Sequence, residues 1–352
     1  MRNRDSAFMA LIIAMMIGAF IIMFTEVEVP KLIKANLFNG GGQKVQVKEG
    51  VSILAFGDVS FDRYIRKRIG EEGKDAVLAG MEPIRYILNN ADIVFVNLEG
   101  PVTENRITTG KEIAFQFDPD SLEILKNFSV DIASTANNHA YDMGKNAVED
   151  TRKFLADYGI ISVGDAKGTN EKSSYETIIN GKKVAFAAFN HTDYRLDFDS
   201  AAILISELKA RNDIVIVSIH WGREYFIVPS DFQRDMARKF VESGADVIIG
   251  HHPHVIEGME FIDGKPVFYS LGNFVFDQWF MDETQEGLGI ELIFSDASTK
   301  IHLLPFKIDK GFPYIPTDEE SQAILNKFYS YSFSTNPEIN DHLDLFQNIS
   351  PK

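Results

Sequence analysis

The chain has 352 residues, 45% of them hydrophobic, which supports a substantial core, and its formal net charge of −16 argues against nucleic acid as a partner. It contains no cysteine, so neither a disulfide framework nor a thiolate metal site is available. In so acidic a body an anionic substrate needs a local positive centre, and a bound cation supplies one.

Residues 7–24, from Ala7 to Phe24, form an unbroken apolar run. As a helix this run spans roughly 27 Å, close to the hydrocarbon thickness of a bilayer. Arg2 and Arg4 precede it, and Glu26 and Glu28 follow. The positive-inside rule then leaves residues 1–6 in the cytoplasm and everything after Thr25 outside. A cleaved signal peptide needs a shorter apolar core and small residues at the cut, whereas this run ends in Met23-Phe24-Thr25-Glu26. The expectation is a single transmembrane helix over 7–24 that holds an extracytoplasmic body at the cell membrane. Residues 25–50, with Pro30 and Gly40-Gly41-Gly42, have no sustained periodicity and read as a tether.

Val51–Phe56 is an apolar run that ends in Gly57-Asp58, a strand delivering an acid at its carboxyl end. Helical spacing runs from Lys74 to Asn90, with Pro83 placed to kink or divide it. Asp92–Asn97 is the next strand, with Glu99 just beyond. After a helix over Leu122–Phe128, a strand over Val130–Thr135 leads to Asn137-Asn138-His139. A helix over Lys145–Tyr158 stops at Gly159, and a strand covers Ile160–Val163. Tyr175–Phe189 reads as a hairpin about Asn180-Gly181. A helix over Ala201–Ala210 leads to a strand over Ile214–Ile219 that ends at His220. The helix over Asp231–Ser243 precedes Asp246-Val-Ile-Ile-Gly-His-His-Pro-His254, a buried strand running into histidines. Pro253 holds the turn there, so that His252 and His254 can face one cleft. A second hairpin about Asp263-Gly264 feeds Ser270-Leu-Gly-Asn273. Strands over Leu288–Phe294 and Lys300–Lys307 close the body, and Thr317 with Glu320 caps a last helix to Tyr331. The domain reading is a body over 51–315 and a C-terminal helical tail over 316–352.

Alternating strands and helices predict an α/β body with antiparallel edges. Five strand ends deliver Asp58, Glu99, His139, His220 and the pair His252/His254, and such convergence is how α/β proteins build sites. With Asn138 these are oxygen and nitrogen donors, a set that suits Mn, Fe, Zn or Ni and excludes thiolate-preferring metals. Arg63 and Arg223 flank the motifs and can either grip a carboxylate or phosphate bidentately or form surface ion pairs, two readings of equal weight. His191 can line the cleft, although a solvated turn is the stronger expectation there, and His251 is expected to point away from His252.

Six ordered motifs carry a family resemblance. They are Gly57-Asp-Val-Ser-Phe-Asp-Arg63, Asn97-Leu-Glu-Gly-Pro-Val-Thr103, Ala136-Asn-Asn-His-Ala-Tyr-Asp-Met-Gly144, His220-Trp-Gly-Arg-Glu-Tyr225, Gly250-His-His-Pro-His254 and Tyr269-Ser-Leu-Gly-Asn-Phe274. In this order they resemble the CapA family of poly-γ-glutamate capsule biosynthesis, whose fold is a metallophosphatase-like four-layer α/β/β/α sandwich. The resemblance implies one or two divalent metal ions held by Asp58, Glu99, Asn138, His220, His252 and His254, with Glu99 as the bridge. It implies His139 as the catalytic acid or electrostatic group, and Asn273 with the two arginines as substrate-binding residues. Two positions depart from the phosphatase pattern. Ser60 stands where a ligand histidine is usual, and Ala140 stands where an acid orients the histidine, a task that Asp142 can assume.

The expected function is a metal-dependent hydrolase or transferase acting on poly-γ-glutamate or an envelope precursor. The expected partners are the membrane, an anionic polymer and the subunits of a membrane synthase. The alternatives are a non-enzymatic export scaffold and a phosphoesterase on an envelope phosphate. For the topology, protease added to intact protoplasts should remove the body and leave the anchor in the membrane. A protected body reverses the orientation, and a body released without protease means signal cleavage.

Overall fold

The computed structural model describes residues 50–79, 81–296 and 299–333, together with the backbone of Leu343–Leu345. All of these belong to one compact unit, Lys48–Lys352. The expected anchor and residues 25–49 of the tether lie outside the described residues, among which no helix is long and apolar enough to cross a membrane.

The first half of the body is β1 (Val51–Val59), α1 (Arg63–Glu72), α2 (Lys74–Ala79), α3 (Glu82–Leu88), β2 (Ile93–Leu98), α4 (Leu122–Asn127), β3 (Ile132–Ser134), α5 (Gly144–Asp157) and β4 (Ile161–Val163). Strands β1 to β4 are parallel neighbours in that order. The next elements are β5 (Ser174–Ile179), β6 (Lys182–His191), α6 (Phe198–Lys209), β7 (Ile214–Trp221), α7 (Asp231–Glu242), β8 (Val247–His251), β9 (Met259–Ile262) and β10 (Lys265–Phe268). They build a second sheet in the order β5-β6-β7-β8-β10-β9, parallel at its centre and antiparallel at both edges. The chain then returns to the first sheet with β11 (Asn273–Val275), β12 (Glu286–Phe294), β13 (Thr299–Asp309) and β14 (Phe312–Tyr314). It continues through α8 (Asp318–Tyr331) to β15 (Leu343–Leu345), which runs parallel to β13.

The side-chain alternation of the strands explains the layering. In β1, Ile53 and Ala55 enter the core between the sheets, while Leu54 and Phe56 face a separate core under α1 to α5. In the second sheet Val184, Phe186, Ile216 and Ile249 join the central core, and Ala185, Val215, Val217 and Ile248 pack under α6 and α7. The result is the expected α/β/β/α order. Pro83 occupies the first turn of α3, where its missing N–H costs nothing, and so divides the predicted helix into α2 and α3. The hairpins at Asn180-Gly181 and Asp263-Gly264 form with both turn residues at positive φ. Helix α7 begins with a capping box between Ser230 and Gln233, and α8 with one between Thr317 and Glu320. Ile324, Leu325 and Phe328 of α8 enter the core between the sheets.

One close approach positions the site. Residues 51–55 of β1 pair with β12, but from Asp58 onward the neighbour on that side is β11, with Asp58 opposite Asn273. The change of partner occurs at Gly57, where a Cβ would lie 1.8 Å from the Gly272 carbonyl oxygen. Gly57→Ala therefore forces β1 and β11 apart. It should lower stability by roughly 1–3 kcal/mol in chemical denaturation, the usual cost of overpacking. A variant as stable as the parent would show that this approach does not limit the fold.

Candidate metal centre and its groove

The parallel strands of both sheets end on one cluster. From the first sheet come Asp58 at the end of β1, Glu99 just past β2, and Asn137-Asn138-His139 past β3. From the second come His220 in β7, His251 ending β8, and His252 and His254 in the turn that follows. Asp58, Glu99, Asn138, His220, His252 and His254 are all buried. His252 and His254 hold left-handed φ values of 100° and 60°, backbone states that side chains rarely adopt, and such strain concentrates at functional sites.

Two trios bring one ligand-type atom from each residue to within 4.8 Å of one another: Glu99, His220 and His252 in one, and Asp58, Glu99 and His254 in the other. Glu99 is common to both. Neither of its carboxylate oxygens has a hydrogen-bond partner, and it lies 3.6 Å from His220 Nε2 and 3.6 Å from His254 Nε2. Asn138 Oδ1 lies 2.9 Å from His220 Nε2, and His252 Nδ1 lies 3.1 Å from the same nitrogen. Asp58 accepts from the Asn97 amide at 2.7 Å and from the His252 N–H at 3.2 Å, with His254 Nδ1 at 3.3 Å.

The electrostatics follow from burial. Burial, then the nearby Asp58 and Glu224 charges, drives the Glu99 carboxyl well above the usual carboxylate range. Burial pushes Asp58 the same way, but the imidazoles of His251 and His254 outweigh it and hold this carboxyl well below that range. Burial, then His252, depresses His220 strongly, and burial, then His254, brings His252 down to about 4. Neutral imidazoles are the ligating form, and an orphaned buried carboxylate is the group that a cation would complete. The donor set therefore fits a divalent ion, with Asp58, Glu99, Asn138, His220, His252 and His254 as the residues able to hold it.

Beside this cluster, His139 Nδ1 lies 2.6 Å from Asp142 Oδ2. Lys111 Nζ reaches Asp142 Oδ1 at 2.8 Å and the Asn138 carbonyl at 2.9 Å. Asp142 thus occupies the orienting place that Ala140 leaves empty.

Other predicted residues fall differently. Asn273, expected to meet substrate, is fully buried: its Oδ1 faces His254 Nδ1 at 3.0 Å and its amide donates to Gln278 Oε1 and the Thr284 carbonyl. With its whole side chain engaged, it orients His254. Arg63 is paired with Asp277 and lies over the Phe115 and Phe276 rings, so its guanidinium is already committed. Ser60 is buried with its hydroxyl unpartnered. His251 does approach the cluster, with Nδ1 3.4 Å from Asp58 Oδ1. Asn97, not singled out in the sequence, links Asp58 to His220 Nδ1 at 3.3 Å. No sequence periodicity marks this role, which follows from its place across from Asp58 in the β1–β2 register.

Next to the cluster opens a groove of about 1010 Å³, with Asn138 and His252 at its inner end and His191, Arg195, Arg223 and Phe232 among its walls.

A two-sheet α/β body with carboxylates, a carboxamide and imidazoles gathered at its strand ends is the class of molecule defined so far. The sequence places it more narrowly. Residues 52–278 match the family described as bacterial capsule synthesis protein PGA_cap, and the chain belongs to that family. It is 33% identical over 320 residues to the PGA biosynthesis protein CapA of Bacillus subtilis (strain 168), covering 84% of this chain and 80% of that protein. It is 29% identical over 293 residues to the capsule biosynthesis protein CapA of Bacillus anthracis, covering 77% and 70%. Among solved structures, a hypothetical protein from Thermus thermophilus aligns over 72% of this chain and 99% of its own, at 16% identity and a TM-score of 0.49. A phosphatase from Mycoplasma pneumoniae aligns over 73% and 94%, at 14% identity and a TM-score of 0.46. Neither structural likeness is close enough to carry function.

Metal analysis checks the centre. The purified chain should carry about one to two transition-metal ions, and His252→Ala combined with His254→Ala should lose most of them, because too few donors remain. Equal metal content in parent and double variant would rule out the site as drawn.

Proposed function

We propose that this chain acts in capsule poly-γ-glutamate biosynthesis as a metal-dependent hydrolase or transferase on the polymer or an envelope precursor. The observation that carries the reading is Glu99, buried without a hydrogen-bond partner between two trios of ligand-type atoms. A pure scaffold gains nothing from strained, buried donors so arranged, since an unpaired buried carboxylate destabilises the fold. Divalent ions held there would supply Lewis acidity toward the scissile carbonyl or phosphoryl group and make water more acidic.

The protein's own groups divide the remaining work. Asp142 and Lys111 fix His139, and the Asp142 bond at Nδ1 leaves Nε2 as the atom able to move a proton to a leaving group. The Phe115 ring, 4.2 Å from the imidazole, shields it from water on one side. The membership in a capsule synthesis family and the apolar run over 7–24 support placing the body outside the membrane, beside the synthase that makes the polymer.

His139→Ala separates enzyme from scaffold. The variant should keep fold and metal while turnover falls roughly 10²–10⁴-fold, the usual worth of a positioned acid or base. In cells the amount or length of polymer should change with it. Normal polymer from the variant, together with none from a chain lacking the body, would assign the protein to the export scaffold instead.

A further inference from the structure

Among the described residues, the groove beside the metal-type cluster is set apart by its arginines. Nearly every described arginine is already bonded to protein: Arg66 to Gln116 and Asp62, Arg68 to Glu72, Arg85 to Glu82, Arg106 to Asp62, Arg211 to Glu176, Arg234 to Glu260 and Arg238 to Asp235. Arg63 pairs with Asp277, and Arg152 bonds Ser162 and the Gly164 carbonyl. Among the described residues only Arg195 and Arg223 make neither an ion pair nor a hydrogen bond through the guanidinium, and both line this groove. In a chain of net charge −16, both of the arginines left without a carboxylate line the same cleft.

Neither acid on the same wall is paired with these arginines. Asp193 lies 3.6 Å from Lys111 Nζ, and Glu224 lies against the Tyr225 hydroxyl. A second cavity, of about 600 Å³, offers the contrast. Its cations Arg68, Lys307 and Lys327 are paired with Glu72, Glu320 and Glu286.

The third wall group is His191. Its ring lies 4.8 Å from Phe198 and 5.0 Å from Phe232, the latter stacked. Nδ1 accepts the Leu196 N–H at 3.1 Å, so the neutral ring carries its proton on Nε2. Burial, then Arg195, lowers the pKa of this histidine and favours the neutral form. The wall thus combines two guanidinium forks, one fixed N–H donor and an apolar face supplied by Phe198 and Phe232. That combination suits a chain whose carboxylates alternate with methylene and amide segments.

We propose that this groove is a carboxylate subsite, in which Arg195 and Arg223 grip side carboxylates of a γ-linked glutamate chain while His191 donates from Nε2. The inference rests on the poly-γ-glutamate reading of the substrate and adds where the polymer lies relative to the metal-type cluster.

Calorimetric titration of the full-length chain with a short γ-linked glutamate oligomer tests it. The probes are that oligomer, its neutral amide counterpart and a glycerol-phosphate oligomer, each against wild type, Arg195→Gln, Arg223→Gln and the double variant. Affinity for the glutamate oligomer should fall roughly tenfold for each arginine lost, the usual scale of a charge-assisted hydrogen bond. The amide counterpart should bind wild type as weakly as the glutamate oligomer binds the double variant, with metal content unchanged throughout. Equal binding of the glutamate oligomer by wild type and double variant would remove the subsite and leave the substrate reading standing. A wild type that binds no glutamate oligomer, or prefers the glycerol-phosphate oligomer, would remove the substrate reading and the subsite with it.

Discussion

Two carboxylates, Asp58 and Glu99, sit fully buried at the seam of two sheets, with imidazoles and amides around them and no lysine or arginine paired to either among the described residues. Burying an ion without adequate partners costs several kcal/mol, so an arrangement like this persists only when the rest of the fold dictates it. Asp58 meets the demand locally, through Asn97, the His252 N–H and the neighbouring imidazoles. Glu99 does not, and its carboxyl is shifted accordingly. Everything else about the centre follows from this asymmetry. One acid is stabilised by protein, and the other has no hydrogen-bond partner for either oxygen.

The sheets make the asymmetry possible. Because β1, β2 and β3 are parallel, their carboxyl ends lie side by side, and β7 and β8 present theirs from across the core. Donors far apart in sequence therefore meet without any loop having to reach. The strained turn at His252 and His254 then sends its two histidines to different trios. Asn273 completes the frame from β11, which can lie beside β1 only because Gly57 has no side chain.

Much of this was legible in the amino-acid sequence. Apolar runs ending in acids or histidines marked the strand ends, Asn-Gly and Asp-Gly marked the hairpins, and Thr317 with Glu320 marked the start of α8. What escaped is informative. Helix α1, Arg-Tyr-Ile-Arg-Lys-Arg-Ile-Gly-Glu-Glu, buries only Ile65, so its sequence has almost no apolar stripe to read. The roles of Asn97 and Asn273 depend on register across strands, which periodicity does not encode. The partner of Arg63, Asp277, is distant in sequence, so the choice between an ion pair and a ligand grip stayed open there. Arg195 belonged to no motif at all, since its significance lies in the absence of a partner rather than in a neighbour.

Helix α8 bears on the order in which the molecule becomes whole. Its Ile324, Leu325 and Phe328 enter the core between the two sheets, and its last turn lies so close to Gly258 that a Cβ there would meet the Tyr331 carbonyl. Met259 bonds both Ser332 and Phe333, tying this end of the chain to the strand that follows the histidine turn. Every metal-type donor precedes α8, so a nascent chain emerging from its amino end holds them all before this helix arrives. A chain cut just before Asp318 would therefore carry a complete list of donors without the apolar face that α8 contributes to the central core.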